Sequence, residues 1–221
     1  DRGINIMNNE IIIEVNEVSK KYDDATVLDN VSLEIEKGKI YGLVGRNGSG
    51  KTVLMKCICG LIKPTSGEVK VAGKTVGKDV DIPEDIGVII ETPGFIPNYS
   101  GFKNLKLLAS VRNKISNEEI RKSMKIVGLE PKSRKHVGKY SLGMRQKLGI
   151  AQAIMEKPKI LILDEPMNGL DNESVAVVRK ILKEQAENGA TIILASHNRE
   201  DIDVLCDKVY TMDHGVIECE R

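Results

Sequence analysis

The eight residues Gly45-Arg46-Asn47-Gly48-Ser49-Gly50-Lys51-Thr52 satisfy the spacing G-x-x-x-x-G-K-[ST] at every fixed position. The preceding Lys39-Ile-Tyr-Gly-Leu-Val44 reads as a buried strand, and Thr52-Val-Leu-Met-Lys56 opens a helix behind the loop. Glycines admit positive φ angles and close approach of the backbone to a ligand. A strand, such a loop and a helix N-terminus together aim backbone N–H groups at an anion, and phosphate is the anion they suit. Lys51 would then reach the β- and γ-phosphates of a nucleotide, and the Thr52 hydroxyl would hold Mg²⁺.

Two further constellations bear chemistry. Lys159-Ile-Leu-Ile-Leu-Asp164-Glu165-Pro166 is an unbroken apolar run ending in two acids, the pattern of a fully buried strand with carboxylates at its C-terminal tip. Tips of parallel strands are where open α/β sheets bind ligands. Asp164 would support Mg²⁺, directly or through water, and Glu165 would accept a proton from water attacking the γ-phosphate. His197 ends the run Thr191-Ile-Ile-Leu-Ala195-Ser196 in the same way and is expected to hydrogen-bond the γ-phosphate. His136 and His214 have no such setting and read as surface residues.

Between these motifs, Ser141 in Lys139-Tyr-Ser-Leu-Gly-Met-Arg-Gln146 is placed as an N-cap, with Leu148, Ile150, Ala151 and Ile154 following at helical spacing. That helix start either holds a second phosphate or is simply well capped.

The elements that must position these residues fall into three stretches. Residues 11–81 alternate short apolar runs with turns: Ile11–Ile13, Val31–Ile35, Ile40–Val44 and Glu68–Val71 as strands, with one helix at about 50–62 ending before Pro64. Residues 100–156 read as mostly helical. Residues 159–217 alternate strand Lys159–Leu163, helix 172–187, strand Ala190–Ala195, helix 199–205 and strands Lys208–Met212 and Val216–Glu218. Such alternation specifies an α/β fold with a mainly parallel sheet covered by helices on both faces.

Composition narrows the classes. The 221 residues are 41% hydrophobic and 29% charged, as in globular domains, and no apolar run approaches the ~20 residues of a membrane span. No secretory signal is visible, because Ile4–Ile13 is interrupted by Asn and Glu. Met7 would serve as a natural start, with Asp1–Ile6 a leftover of an expression tag and residues 1–10 an extension ahead of one domain at 11–221. Cys57, Cys59, Cys206 and Cys219 show neither metal nor disulfide spacing, and Cys57 and Cys59 point apart on a helix, which suits reduced thiols. Net charge is +1, yet Lys103–Lys147 holds 13 Lys and Arg against 3 Asp and Glu. That block could face nucleic acid, acidic headgroups or an acidic partner, or form solvated helix faces. With aromatics at only 3%, it lacks the stacking platforms of a single-strand binder.

The order of phosphate loop, Ser141-Leu-Gly-Met-Arg-Gln146, Leu163-Asp-Glu-Pro166, Asn168-Gly-Leu-Asp171 and Ser196-His197 resembles that of the ATP-binding cassette (ABC) ATPases, over nearly the whole chain from about Ile11 to Glu218. The resemblance implies a P-loop NTPase core with a mainly parallel sheet, an antiparallel β region and a helical subdomain near residues 95–155. It implies ATP and Mg²⁺ as cofactors, hydrolysis of ATP, and a head-to-tail homodimer formed on ATP binding. In that dimer Ser141 and Gly143 of one protomer would cap the γ-phosphate held by Lys51 of the other. Tyr22 would stack on adenine, and Asp171 would lie in the loop that crosses the dimer interface.

Two departures from the family pattern stand out. Tyr140-Ser-Leu-Gly-Met144 replaces the usual Leu-Ser-Gly-Gly-Gln but keeps Ser141 and Gly143. In Ile86-Gly-Val-Ile-Ile-Glu91-Thr-Pro-Gly94, Glu91 stands where the family has a Mg²⁺-ligating Gln, adding a negative charge near Asp164 and Glu165. Glu91 with this signature resembles the ATPases of lantibiotic-immunity and bacitracin-type export systems. The resemblance implies a cytoplasmic subunit, peripheral on the inner face of the membrane, that powers separate permease subunits. The absence of a C-terminal regulatory domain after residue 217 leans the expectation towards export. No nucleic acid partner is expected. The rivals are a soluble ABC ATPase acting on nucleic acid or ribosomes, and a nucleotide-dependent module that no longer hydrolyses. Neither tandem cassettes nor a coiled-coil insertion supports the first, and Glu165 with His197 opposes the second.

Overall fold

The computed structural model describes residues 10–220. The expected extension and its start at Met7 therefore lie almost wholly outside the described residues. Two sheets organise the chain. The first is antiparallel, in the order β2-β1-β4-β5, from β1 (Ile11–Tyr22), β2 (Ala25–Glu36), β4 (Ser66–Val71) and β5 (Lys74–Thr75). The second has the order β10-β9-β3-β8-β7-β6. Its members are β3 (Ile40–Val44), β6 (Ile86–Ile89), β7 (Ile160–Asp164), β8 (Thr191–Ala195), β9 (Lys208–Asp213) and β10 (Val216–Cys219). All neighbours in it run parallel except the edge pair β9–β10.

The expected strands are present, but β1 and β2 are far longer than the apolar triplet and pentad suggest. Register shifts along both β1 pairings break the two-residue alternation, so polar residues such as Asn16 and Lys20 fall within a continuous strand. β6 is not among the expected strands, and Gly87 in its interior weakens its strand signal. Helix α1 (Lys51–Ile58) stops four residues short of the expected end. Gly60, not Pro64, decides that end: its φ is +76°, and a Cβ there would lie 2.0 Å from the Asp81 carbonyl oxygen. The helical stretch resolves into α2 (Gly101–Arg112), α3 (Asn117–Ile126) and α4 (Leu142–Ile154), capped by Ser100, Ser116 and Ser141. Two more helices, α5 (Asn172–Glu187) and α6 (Arg199–Leu205), follow β7 and β8.

The parallel sheet separates two apolar clusters because its strands are buried on both faces. One face carries Leu161, Leu163, Ile192 and Leu194, which meet α4 and α5 and, through α4, Leu105, Ile120 and Met124 of α2 and α3. The other carries Tyr41, Leu43, Ile160, Ile162 and Ile193, which meet α1 and the antiparallel sheet. Glu36 at the end of β2 ties the two sheets together through Lys208 of β9 and Lys39. Cys57 and Cys59 are both buried and unbridged, and burial pushes their thiols up to about 11 and about 12, so both stay protonated. Among the described residues, no helix is long and apolar enough to cross a membrane.

Candidate nucleotide site

Parallel pairing brings the chemistry to one edge. The strands β3, β8, β7 and β6 are neighbours in that order, so the loops after their C-terminal ends lie side by side. After β3 comes the loop 45–50, after β7 Glu165, after β8 Ser196 and His197, and after β6 Glu91. Asp164 is paired in register with Ala195, and the Glu165 N–H donates to the Ala195 carbonyl at 2.9 Å. That bond fixes the turn in which Glu165 takes a φ of +50°.

At Gly45 and Gly50 the loop has no room for a side chain. A Cβ on Gly45 would lie 2.2 Å from the Met212 carbonyl oxygen, and one on Gly50 would lie 2.8 Å from that of Val27. Gly50 is the N-cap of α1, offers no side chain to its free N–H groups, and is followed by no acid in the first turn. The helix therefore begins with unsatisfied donors and positive partial charge. The Lys51 ammonium folds back on the loop, donating to the carbonyls of Gly45 (2.7 Å) and Arg46 (2.9 Å). Burial pushes its pKa below the ordinary lysine value, while the Asp164 and Glu165 carboxylates oppose that shift. Ser49 Oγ is buried with no hydrogen-bond partner among the described residues, an orphaned polar atom in the loop itself.

A cavity of about 400 Å³ lies over this edge, lined by Asn47, Gly48, Gly50, Lys51, Thr52, Glu91, Asp164 and Glu165 among others. Thr52 Oγ1 donates to Asp164 Oδ2 at 2.6 Å. Glu165 Oε2 is 2.8 Å from His197 Nδ1. Glu91, with a φ of +59°, turns its carboxylate to Lys56 Nζ at 2.6 Å. Thr52, Asp164 and Glu91 supply only hard oxygen donors, which suits Mg²⁺. Among the described residues no three His, Cys, Asp or Glu are grouped to hold a metal by themselves. The donor set therefore fits an ion completed by phosphate oxygens, as Mg²⁺ with nucleotides is.

The remaining expected residues are placed differently. Gly45 and Arg46 line a neighbouring cavity with Ser196 and His197. Tyr22 ends β1, is exposed and outside the main cavity's lining, and carries the Lys20 ammonium 4.9 Å from its ring centre. Ser141 caps α4 by accepting from the Met144 N–H, and Gly143 lies so close to the Gly169 carbonyl that a Cβ would meet it at 2.9 Å. Asp171 caps α5 through Ser174, whose hydrogen bonds hold its carboxyl below the usual range. Sequence reading assigned no role to Gln146. Buried on α4, its amide donates to the carbonyls of Glu165 (3.2 Å) and Pro166 (3.0 Å), bracing the loop that presents Glu165. Its signals were its place in the Ser141–Gln146 motif and an amide close to the apolar positions Leu148, Ile150 and Ala151 of the same helix.

Fold and site together define a P-loop ATPase with an antiparallel β sheet and a packed trio of helices. The family model for ABC transporters matches residues 28–168. The chain is 48% identical over 207 residues to the uncharacterised ABC transporter ATP-binding protein YybJ of Bacillus subtilis (strain 168), covering 94% of this chain and 95% of YybJ. It is 43% identical to the bacitracin transport ATP-binding protein BcrA of Enterococcus faecalis, over 93% of this chain and 68% of BcrA. It is 36% identical to the lantibiotic transport ATP-binding protein SrtF of Streptococcus pyogenes, over 95% and 90%. Among solved structures, a dimeric ATP-binding cassette in a post-hydrolysis state with ADP and phosphate has the same fold, with a TM-score of 0.85, 23% identity, and coverage of 95% of this chain and 99% of that one. The chain belongs to the ABC transporter family and is an ATPase whose hydrolysis is coupled to transport.

Proposed function

We propose that this chain is the ATP-hydrolysing subunit of an exporter of an antimicrobial peptide of the lantibiotic or bacitracin kind. It would work as an ATP-clamped homodimer on the cytoplasmic face of separate permease subunits. The observation that carries the ATPase chemistry is the convergence of the 45–52 loop, Asp164, Glu165 and His197 at adjacent tips of one parallel sheet. The peptide class is supported by the similarity to BcrA and SrtF.

The residues divide the work as follows. The N–H groups of residues 45–52 and the α1 N-terminus cradle the phosphates, and Lys51 exchanges its carbonyl partners for β- and γ-phosphate oxygens. Ser49 Oγ, orphaned in the loop, is placed to join them. Thr52, Asp164 and Glu91 would hold Mg²⁺, which would neutralise charge developing on the transferred phosphoryl group. Glu165 accepts the proton of the attacking water, and His197 holds that carboxylate by its Nδ1–H. A simultaneous bond from Nε2 to the γ-phosphate requires both ring nitrogens to be protonated. Tyr22 supplies an adenine platform. Ser141 and Gly143 reach the partner's γ-phosphate, and Asp171 lies at the interface. ATP binding closes the dimer, and hydrolysis reopens it and moves the permease.

Replacing the protein in its host by the Glu165→Gln form tests this reading through growth inhibition across lantibiotics, bacitracin and unrelated drugs. Selective sensitisation to one peptide class is expected. An unchanged panel, with ATPase activity lost, would remove peptide export and leave the ATPase assignment standing.

A further inference from the structure

Glu91 brings a third carboxylate to a cavity that already holds Asp164 and Glu165 and must accept a polyanion. In a site built for phosphates this is unfavourable unless a cation answers it. The answering cation is Lys56, whose Nζ lies 2.6 Å from Glu91 Oε1. Lys56 follows Thr52 by four residues on α1, so the two side chains stand one above the other on the same helix face. The Lys56 side chain is 23% exposed and that of Glu91 64%, so the lysine is held against the protein while the carboxylate rides at the cavity edge. Glu91 lies two residues beyond β6, in a left-handed backbone conformation that is uncommon for a residue with a side chain. The carboxylate thus has two cationic destinations one helical turn apart: Lys56 below, and a Mg²⁺ ion held by Thr52 above.

We propose that Lys56 is a positioning residue for nucleotide binding. Its ammonium neutralises Glu91 and holds that carboxylate a turn away from Thr52 until the metal–nucleotide complex arrives. Glu91 would then turn from Lys56 to the divalent ion, which would offer twice the charge of the ammonium. The proposal rests on the reading of this cavity as the Mg·ATP site. It assigns Lys56 a task that exists only because position 91 is acidic.

A double-mutant cycle separates this from general packing or general attraction of phosphate. Wild type, Lys56→Met, Glu91→Gln and the double variant are each titrated with a fluorescent ATP analogue, once in Mg²⁺ and once in EDTA. Methionine keeps the apolar stem of Lys56, and thermal melting checks that each variant is folded. Lys56→Met is expected to weaken metal-free binding about fivefold, with a smaller loss in Mg²⁺, and Glu91→Gln in the same chain is expected to restore it. An equal loss with Gln or Glu at 91 would overturn the proposal, as would no loss in either. Wild type that binds no nucleotide under either condition would instead sink the nucleotide-site reading, and this proposal with it.

Discussion

At the scale of single residues, the site depends on groups held by one or two short bonds. Glu165 is oriented by the Ala195 carbonyl, the Gln146 amide and His197. Its replacement by Gln keeps those shapes but removes the carboxylate proposed as the base. Turnover of Glu165→Gln is expected to fall roughly 10²-fold or more with nucleotide binding preserved, measured by phosphate release and by titration with an ATP analogue. Near-normal turnover would take Glu165 out of that role. Lys51→Ala should instead lose nucleotide binding, since the same ammonium that now bonds two loop carbonyls would be missing from the phosphates. Of these residues the loop, Asp164, Glu165 and His197 were legible from motif and strand-end position. Gln146 and the Lys56–Glu91 pair were not, because their partners lie 19 and 35 positions away in the chain.

At the scale of elements, close packing decides what sequence periodicity leaves open. β6 is the strand that delivers Glu91, and it fits only because Gly87 has no side chain. A Cβ there would lie 2.1 Å from the Ala153 carbonyl oxygen at the end of α4. Gly87→Ala is expected to cost about 1–3 kcal/mol in denaturant unfolding and to weaken metal-dependent nucleotide binding. Stability unchanged from wild type would argue against this contact. The joint between the two sheets has a pH signature. Hydrogen bonds from Lys208 and then Lys39 hold the Glu36 carboxyl below its ordinary value. A carboxylate with a depressed folded-state pKa contributes stability that is complete at neutral pH and is lost as pH falls through the folded-state value. The melting temperature should therefore fall on acidification below the ordinary glutamate range, near pH ~4.3. Glu36→Gln should be less stable at neutral pH and show a shallower acid dependence. An acid limb identical to wild type would remove Glu36 as its cause. No periodicity announces this joint, since Glu36 and Lys208 meet only once β2 and β9 are in place.

At the scale of the whole molecule, the sheet edge presents the nucleotide cavity on a surface shared with the start of α4, through Leu142, Arg145 and Gln146. Leu142 is exposed there and leans on Gly169, next to the loop that leads to Asp171. In the dimer proposed above, a second copy would add its Ser141 and Gly143 to the first copy's phosphates at this surface. The Glu165→Gln protein is expected to run as a dimer in light scattering with ATP and Mg²⁺, and as a monomer without nucleotide. A monomer under both conditions would count against the clamped dimer.

The family, the α/β class, the phosphate-loop spacing and the acids that end β7 can all be read from the chain, because each is local. A loop and its helix, or an apolar run and its terminal acids, are contiguous, and their physics acts within a few residues. Tertiary structure alone decided the lengths of β1 and β2, the end of α1 at Gly60, the buried brace from Gln146 and the partner of Glu91. Those outcomes depend on which distant backbone or charge comes within a few ångströms, and only the completed packing of sheet and helices sets that distance.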